Sequence, residues 1–375
     1  MESALGGRAA FAAATWRSAV NSRAAAAVML AAFYWLVAAA AYSGFIGKWG
    51  LRDDSPRFSI DRVLDGTAQR PFVYRQLVPM LANAADAVTP EPLKRKLSDR
   101  LSPEPLFTKA FEVADPALRY RYIVVCYLAF VGFFAALFVL RRIVLDAGMG
   151  EAGAALAPAA FTLAFPYLQT VGGFYYDSVE LLFFSIAFLL AWRGQAGWLI
   201  VLALPATLNK ESFLFFIPAL LPLLKCRLAT GTALRTAIAA MAVSAAVNLA
   251  ARLAFADAPG GAIEFHLFGS LASYLGLSAY HETEVTYGLI GPRGVSIVTL
   301  LVVATVACRG WPDTPTAIRR HLLAAAAINL PLFLLFGYPG ELRNLSLLFV
   351  GAVVVIAAAV AQVFGPAGPR SAQAR

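Results

Sequence analysis

The residues best placed to do chemistry stand inside an otherwise apolar stretch, residues 198–224. Asn209, Lys210 and Glu211 interrupt this stretch near its middle. A charged side chain at the centre of a membrane costs at least about 2.5–3.5 kcal/mol on insertion scales, so an intramembrane ionisable residue indicates a functional site by default. The alternative is an internal Lys–Glu pair that holds two helices together, because buried ion pairs alone are weak evidence of function.

Other polar residues suited to acid–base chemistry or phosphate binding lie near the ends of the remaining apolar runs. Carboxylates can act as general bases or metal ligands, whereas arginine and lysine bind phosphate oxygens. The candidate residues are Asp53, Asp54, Asp61, Asp65, Arg70, Tyr74, Arg75, Tyr176, Asp177, Lys210, Glu211, His266, His281, Glu341 and Arg343. Structural alternatives remain for each of them: a solvated loop, a lipid contact, a helix N-cap at Asp177 or a local ion pair between Glu341 and Arg343.

Composition fixes the fold class. Hydrophobic residues make up 60% of the chain and charged residues 14%. Apolar runs of about 20 residues, the length that crosses a hydrocarbon core, recur along the sequence. These features predict an all-α polytopic membrane protein with about ten membrane segments. The three cysteines, Cys126, Cys226 and Cys308, have no spacing typical of a zinc site or a disulfide framework. The charge pattern gives no indication of nucleic-acid binding.

Basic residues between the apolar runs set the expected orientation, because cytoplasmic loops carry an excess of lysine and arginine. We therefore expect residues 1–23 and 365–375 to be cytoplasmic and residues 24–364 to form a single transmembrane domain. The predicted segments are 24–46, 120–140, 153–170, 178–192, 197–208, 212–224, 236–256, 294–308, 321–337 and 344–364. Both flanks of the central stretch are basic, which favours a hairpin over 197–224, with Lys210 at its tip, over a single crossing.

Two long external loops follow from this topology. Residues 47–119 form the first, and residues 72–88 within it have the apolar spacing of an interfacial helix. Residues 257–292 form the second, which contains His266 and His281. The candidate acids and cations then share one side of the membrane, a pattern suited to a phosphorylated lipid and a polar acceptor.

Four short segments carry a family resemblance. They are RPFVYRQLVP at 70–79, YD at 176–177, LNKES at 208–212 and ELRN at 341–344. In this order they resemble segments of bacterial membrane proteins related to the GT-C glycosyltransferases. The resemblance implies transfer of a sugar from a polyprenyl-phosphate donor on the extracytoplasmic face of the bacterial inner membrane.

The resemblance also implies roles for individual residues. An acid in the first loop would serve as base or metal ligand, and Asp54 is preferred, with Asp53, Asp61 and Asp65 as alternatives. From chemistry, because cations stabilise developing negative charge, we expect Lys210, Arg70, Arg75 and Arg343 to neutralise the leaving phosphate and Glu211 to orient Lys210. A divalent metal is compatible with this chemistry but is not required by it. The acceptor and the sugar are not specified.

Two other classes of function fit the same pattern. A transporter or flippase for a lipid-linked or anionic solute also uses broken helices with charges at their ends. Such transporters often contain repeats, and we find none in this sequence. A scaffold protein that binds a partner through its external loop would leave Lys210 without a role.

Overall fold

The computed structural model describes residues 3–52, 55–101, 116–261 and 264–364, with side chains from residue 22 onward except at 116 and 117. Nearly all regular structure in these residues is helical, as the composition predicts. The helices are α1 (Ser3–Trp49), α2 (Ile60–Leu64), α3 (Leu77–Val88), α4 (Glu91–Leu101), α5 (Pro116–Asp146), α6 (Glu151–Leu168), α7 (Tyr176–Trp192), α8 (Ala196–Asn209), α9 (Phe213–Ala219), α10 (Leu221–Leu224), α11 (Thr230–Ala254), α12 (Leu267–Leu275), α13 (Ile297–Gly310), α14 (Thr316–Phe336) and α15 (Phe349–Phe364). The 3-10 helices are Phe72–Tyr74, Leu277–Tyr280 and Leu342–Leu348.

Five segments of the described chain are long and apolar enough to cross a membrane. They are Ser22–Trp49, Leu118–Asp146, Thr230–Ala254, Thr316–Phe336 and Leu342–Phe364. Length and composition of these segments therefore support the predicted class of helical membrane protein. The larger number of about ten segments depends on shorter helices such as α8 and α13, and it stays a prediction.

The central stretch folds as two arms that run side by side. Lys210 leaves the helical conformation with φ −161° and ψ 134°, which ends α8. Next to this break, the side-chain amide of Asn209 donates to the backbone oxygen of Tyr176, at the start of α7. At the far end of the second arm, Arg227 lies against Gly194, just past the end of α7. The second arm thus returns along α7, and the segment is the hairpin that the sequence favours.

The helix bundle has two chemically different ends. We call the end where α7 begins and α8 ends the loop end, because residues 55–101 pack there. The other end is the basic end. Its cations are Arg141, Arg142, Arg193, Lys225, Arg227, Arg235, Arg309, Arg319 and Arg320. The acids near it in the described chain are Asp146, Glu151 and Asp313, which pair with or lie beside some of these cations.

The first long loop has a core of its own. Ile60, Val63 and Val73 are buried in a cluster that also contains Phe174 and Tyr122. The predicted helix over 72–88 is divided: a 3-10 turn covers Phe72–Tyr74, and α3 begins only at Leu77. This packing holds the first loop against the start of α7 and so fixes the position of the first-loop residues near that helix end.

The second long loop contains a β-hairpin that the sequence analysis missed. Strands β1 (Thr283–Thr286) and β2 (Leu289–Pro292) pair antiparallel. The two residues between them, Tyr287 and Gly288, both have positive φ, which is typical of a tight type I′ turn. Lys48 of α1 binds Glu284 of β1 at 2.5 Å and thereby fastens the hairpin to the bundle.

The close approach of α13 to α15 gives a test of the packing. A Cβ added at Gly310 would collide with the backbone oxygen of Val355 and lie 2.8 Å from its Cγ1. We expect Gly310→Ala to destabilise the protein by roughly 1–3 kcal/mol, the usual cost of overpacking. The measurement is the midpoint of thermal unfolding in detergent.

Gly197→Ala is the matched control, because a Cβ at Gly197 would meet nothing within 4 Å. Alanine has a higher helix propensity than glycine, so the stability of this variant should be unchanged or slightly higher. Equal stability of the two variants would contradict the tight contact between α13 and α15.

Candidate functional site

Asp177 at the start of α7 is the most deeply buried of the described acids at the loop end, with 1% of its surface exposed. One of its oxygens accepts hydrogen bonds from the backbone N–H of Phe174 at 3.0 Å and from the side chain of Gln169 at 3.1 Å. These bonds fix the carboxylate, and its other oxygen faces cations from distant parts of the chain.

Lys210 is the first of these cations. The break after α8 places its Nζ 2.8 Å from Glu180 and 3.5 Å from Asp177. Glu180 lies one helical turn beyond Asp177, so both acids face the same side of α7. The same Glu180 carboxylate accepts hydrogen bonds from Ser212 at 2.5 Å and Ser346 at 3.0 Å. Lys210 is therefore compensated by two acids within one turn of one helix.

Arg343 is the second cation. It donates to Asp177 at 3.2 Å and forms an ion pair with Glu341. Glu341 also accepts from the side chain of Asn344 at 2.7 Å and the backbone N–H of Tyr338 at 3.2 Å. The segment at the head of the last helix is thus joined directly to the head of α7.

Arg75 is the third cation. Its guanidinium binds both oxygens of Glu211, at 2.7 and 3.2 Å, and donates to the hydroxyl of Tyr176. Burial alone would raise the pKa of the Glu211 carboxyl, but the charge and hydrogen bonds of Arg75 outweigh burial and lower that pKa to about 2. Glu211 is consequently ionised across the physiological range and is tied to the first loop.

Together these side chains form what we call the charge network. In the described chain it comprises three cations, Arg75, Lys210 and Arg343, and four carboxylates, Asp177, Glu180, Glu211 and Glu341. Its members come from the first loop, α7, the hairpin turn and the start of the last helix. Buried charges persist only where they are paired and hydrogen-bonded, and this network satisfies that requirement.

A cavity of about 330 Å³ opens above the charge network. Arg75, Lys210, Glu211, Glu341 and Arg343 contribute its charged floor, whereas Asp177 and Glu180 lie behind the floor. Its wall is apolar and comes mainly from α9 and α14. The wall residues are Phe215, Leu332, Phe333, Phe336 and Leu347. A cavity with one charged and one apolar surface suits an amphipathic ligand.

The mouth of the cavity carries further polar groups that the sequence analysis did not select. Arg57 pairs with Glu264, which also accepts a 3.0 Å hydrogen bond from the hydroxyl of Tyr338. Arg252 of α11 also lines the cavity and donates to the side chain of Asn248 at 3.1 Å. Among the described residues, Arg252 has no carboxylate within ion-pair distance.

A second cavity, of about 290 Å³, lies between α1 and α5. Its lining includes Trp35, Tyr42 and Phe130, and none of its lining residues is an acid, lysine, arginine or histidine. The cavity at the loop end combines the charge network with an apolar wall, and we take it as the candidate functional site.

The structure brings most of the predicted site residues together. The charge network contains Arg75, Asp177, Lys210, Glu211, Glu341 and Arg343, and Tyr176 joins it through its hydroxyl. Tyr74 and His266 line the cavity. Residues more than 250 positions apart in the sequence thus meet at one site.

Other predicted site residues lie elsewhere. Asp65 pairs with Arg121 at 3.0 Å, and Asp61 lies in the first turn of α2; neither lines the cavity. Arg70 donates to the backbone oxygen of Ala256 at 3.2 Å, and His281 follows a 3-10 helix outside the cavity lining. The packing of the first loop turns Asp61, Asp65 and Arg70 away from the cavity. Asp53 and Asp54 lie outside the described residues.

The predicted role of Glu211 is wrong. Its carboxylate binds Arg75 in the first loop, and Lys210 is oriented by Glu180 and Asp177 instead. The reason is geometric: the extended conformation of Lys210 directs neighbouring side chains to opposite sides, so Lys210 turns toward α7.

Glu180 is the most important residue that the sequence analysis missed. A signal existed, because an acid three residues after Asp177 must lie on the same helix face. For Arg57, Arg252 and Glu264 no comparable local signal exists, since only the fold brings them to the cavity.

Metal binding receives no structural support from the described residues. In those ranges no group of three or more histidine, cysteine, aspartate or glutamate side chains is arranged to hold a metal ion. The acids of the charge network are already paired with cations.

Comparisons with known proteins add no relative. No family model matches the chain, and neither a curated protein nor a solved structure matches it. The function must therefore be argued from the site.

Replacing Lys210 tests whether the charge network stabilises the protein. Lys210→Met leaves Asp177 and Glu180 without their ammonium partner, and breaking a buried ion pair in this way typically costs about 3–5 kcal/mol. We expect a lower unfolding temperature in detergent for this variant.

Lys225→Met is the control, because Lys225 is exposed at the basic end. Adding Glu180→Gln to Lys210→Met should recover part of the loss, since one uncompensated charge is removed. If Lys210→Met unfolds at the same temperature as the wild type, the charge network does not stabilise the protein.

Proposed function

We propose that this protein is a membrane glycosyltransferase of the GT-C type. It moves a sugar from a polyprenyl-phosphate donor to an acceptor on the extracytoplasmic face of the bacterial inner membrane. The observation that carries the proposal is the amphipathic cavity at the loop end, which has a floor of paired charges and an apolar wall. A lipid-linked phosphate has the same two-part chemistry.

The orientation rests on the charge difference between the two ends. The basic end carries many more cations than acids, which is the pattern of cytoplasmic loops. The cavity then opens on the extracytoplasmic side. In this arrangement about ten segments cross the membrane, because the shorter helices α6–α8 and α13, together with the second arm of the hairpin, span with the five long ones.

The donor would bind with its phosphate at the charged mouth and its tail on the apolar wall. Arg252 is the cation at the mouth that can accept an anion without giving up an existing ion pair in the described structure. Arg343 Nε is buried without a hydrogen-bond partner there and can donate one more bond. Phe215 and Phe336 are about 40% exposed and offer contact to a hydrocarbon chain.

The paired cations of the floor act differently from the sequence prediction. Lys210 is paired with two acids in the resting site and Arg343 keeps only its Nε unpaired, so both contribute mainly a fixed electrostatic field. Fixed charges aimed at a developing charge lower a reaction barrier because they need no reorganisation. The family resemblance implies that Asp54 or Asp53 serves as base or metal ligand.

The direct test is an assay of bond cleavage. Purified protein in liposomes would receive polyprenyl-phosphate hexoses that carry a label in the sugar, together with a membrane extract as the source of acceptor. The proposal predicts transfer of the label and release of polyprenyl phosphate, measured by mass spectrometry. No cleavage of any donor would contradict it, and movement of intact donor across the bilayer would identify a flippase instead.

The mouth of the cavity gives a sharper prediction. Arg252→Gln should raise KM for the lipid donor roughly tenfold with little change in kcat, because a hydrogen bond to a charged group contributes about 1.5–3 kcal/mol and exposure weakens it. Initial rates at varied donor concentration measure this effect.

Arg235→Gln is the matched control, since Arg235 lies on the same helix at the basic end. If both variants raise KM equally, Arg252 acts through membrane anchoring and the proposed phosphate contact is wrong.

A further inference from the structure

His266 and Glu264 form an acid–histidine pair at the cavity mouth. His266 Nε2 lies 3.4 Å from a Glu264 carboxylate oxygen. This nitrogen is buried and has no hydrogen-bond partner in the described structure. The imidazole ring packs against the ring of Tyr338, with centroids 4.0 Å apart. Both His266 and Glu264 line the cavity.

Glu264 is itself fixed from two directions. Arg57 pairs with one of its oxygens, and the hydroxyl of Tyr338 donates to the other at 3.0 Å. The backbone N–H of His266 donates to the backbone oxygen of Leu335 at 2.8 Å, which anchors the start of α12 to α14. The 3.4 Å contact places this fixed carboxylate beside the imidazole without a hydrogen bond, and a carboxylate next to a histidine is an arrangement that general bases use.

The other acids of the cavity lining are poor proton acceptors. Glu211 is bound through both oxygens by Arg75, and its pKa is lowered to about 2. Glu341 is engaged by Arg343, Asn344 and the backbone of Tyr338. A general base needs an open lone pair and a proton affinity suited to neutral pH, and imidazole is the side chain that offers both.

We propose that His266 is the general base of the transfer reaction and that Glu264 is its positioning residue. This inference rests on the proposed function. The imidazole nitrogen opposite Glu264 takes the proton of the acceptor hydroxyl while the hydroxyl oxygen bonds to the anomeric carbon of the sugar. The bond from that carbon to the phosphate oxygen breaks, and the phosphate leaves with the electron pair. The proton then passes from imidazole to the leaving phosphate or to water.

The experiment uses full-length protein in liposomes with the labelled polyprenyl-phosphate hexoses and acceptor extract described above. His266→Ala should lower kcat about 10²- to 10⁴-fold, the usual contribution of a general base, and should leave KM for the donor nearly unchanged. Added imidazole should restore part of the rate because it can occupy the vacated space. His266→Gln keeps a side chain of similar reach, should lower kcat equally and should resist rescue.

His281→Ala is the matched control, because His281 belongs to the same loop but lies outside the cavity lining. It should retain the wild-type rate and show no response to imidazole. Glu264→Gln should lower kcat without changing KM, because the imidazole loses its orienting charge while donor contacts remain.

The outcomes separate this inference from the proposed function. Wild-type protein that cleaves no donor would refute the proposed function and this inference with it. Active wild-type protein whose His266→Ala and His266→Gln variants keep full kcat would refute the inference alone. Loss of kcat in Asp54→Asn, with no imidazole rescue of His266→Ala, would assign the base to the first loop and overturn the role of His266.

Discussion

The burial of Lys210 between two acids is the interaction on which the rest of the site depends. An ammonium group among apolar helices is tolerated only when carboxylates replace its lost water. Asp177 and Glu180 do so from one face of α7. Because Asp177 also binds Arg343, the same requirement attaches the last helix to the hairpin turn. One compensated charge thereby connects segments that are far apart in the chain.

This constraint divides the cavity into two chemically distinct parts. The floor consists of charges that have their partners, and such networks are rigid because breaking one contact leaves a buried charge exposed to an apolar environment. The mouth has groups with spare bonding capacity, among them Arg252 and His266. A floor of fixed charges, together with a cavity mouth whose polar groups can still bind a ligand, suits catalysis on a substrate that enters from the membrane.

The sequence predicted the features that depend on the free-energy cost of placing charged residues in an apolar segment. The basic residues on both flanks of the central stretch favoured a hairpin with Lys210 at its tip, and the turn lies there. The pairing of acids with cations depends on which helices touch, so Glu211 was assigned to Lys210 although it binds Arg75. The acids Asp61 and Asp65 could not be excluded from sequence, since the loop core that turns them away is formed by distant contacts. The β-hairpin was missed because Tyr287 occupies the first central position of the turn, where asparagine is the usual residue and the usual sequence indication of such a turn.

The proposed lipid site is tested most directly by an experimental density map of the purified protein in native lipid. We expect a lipid in the cavity, with phosphate density beside Arg252 and a tail along Phe215 and Phe336, and mass spectrometry of the same sample should identify a polyprenyl phosphate. A cavity that holds no lipid, or one that continues as a water-filled path to the basic end, would contradict it.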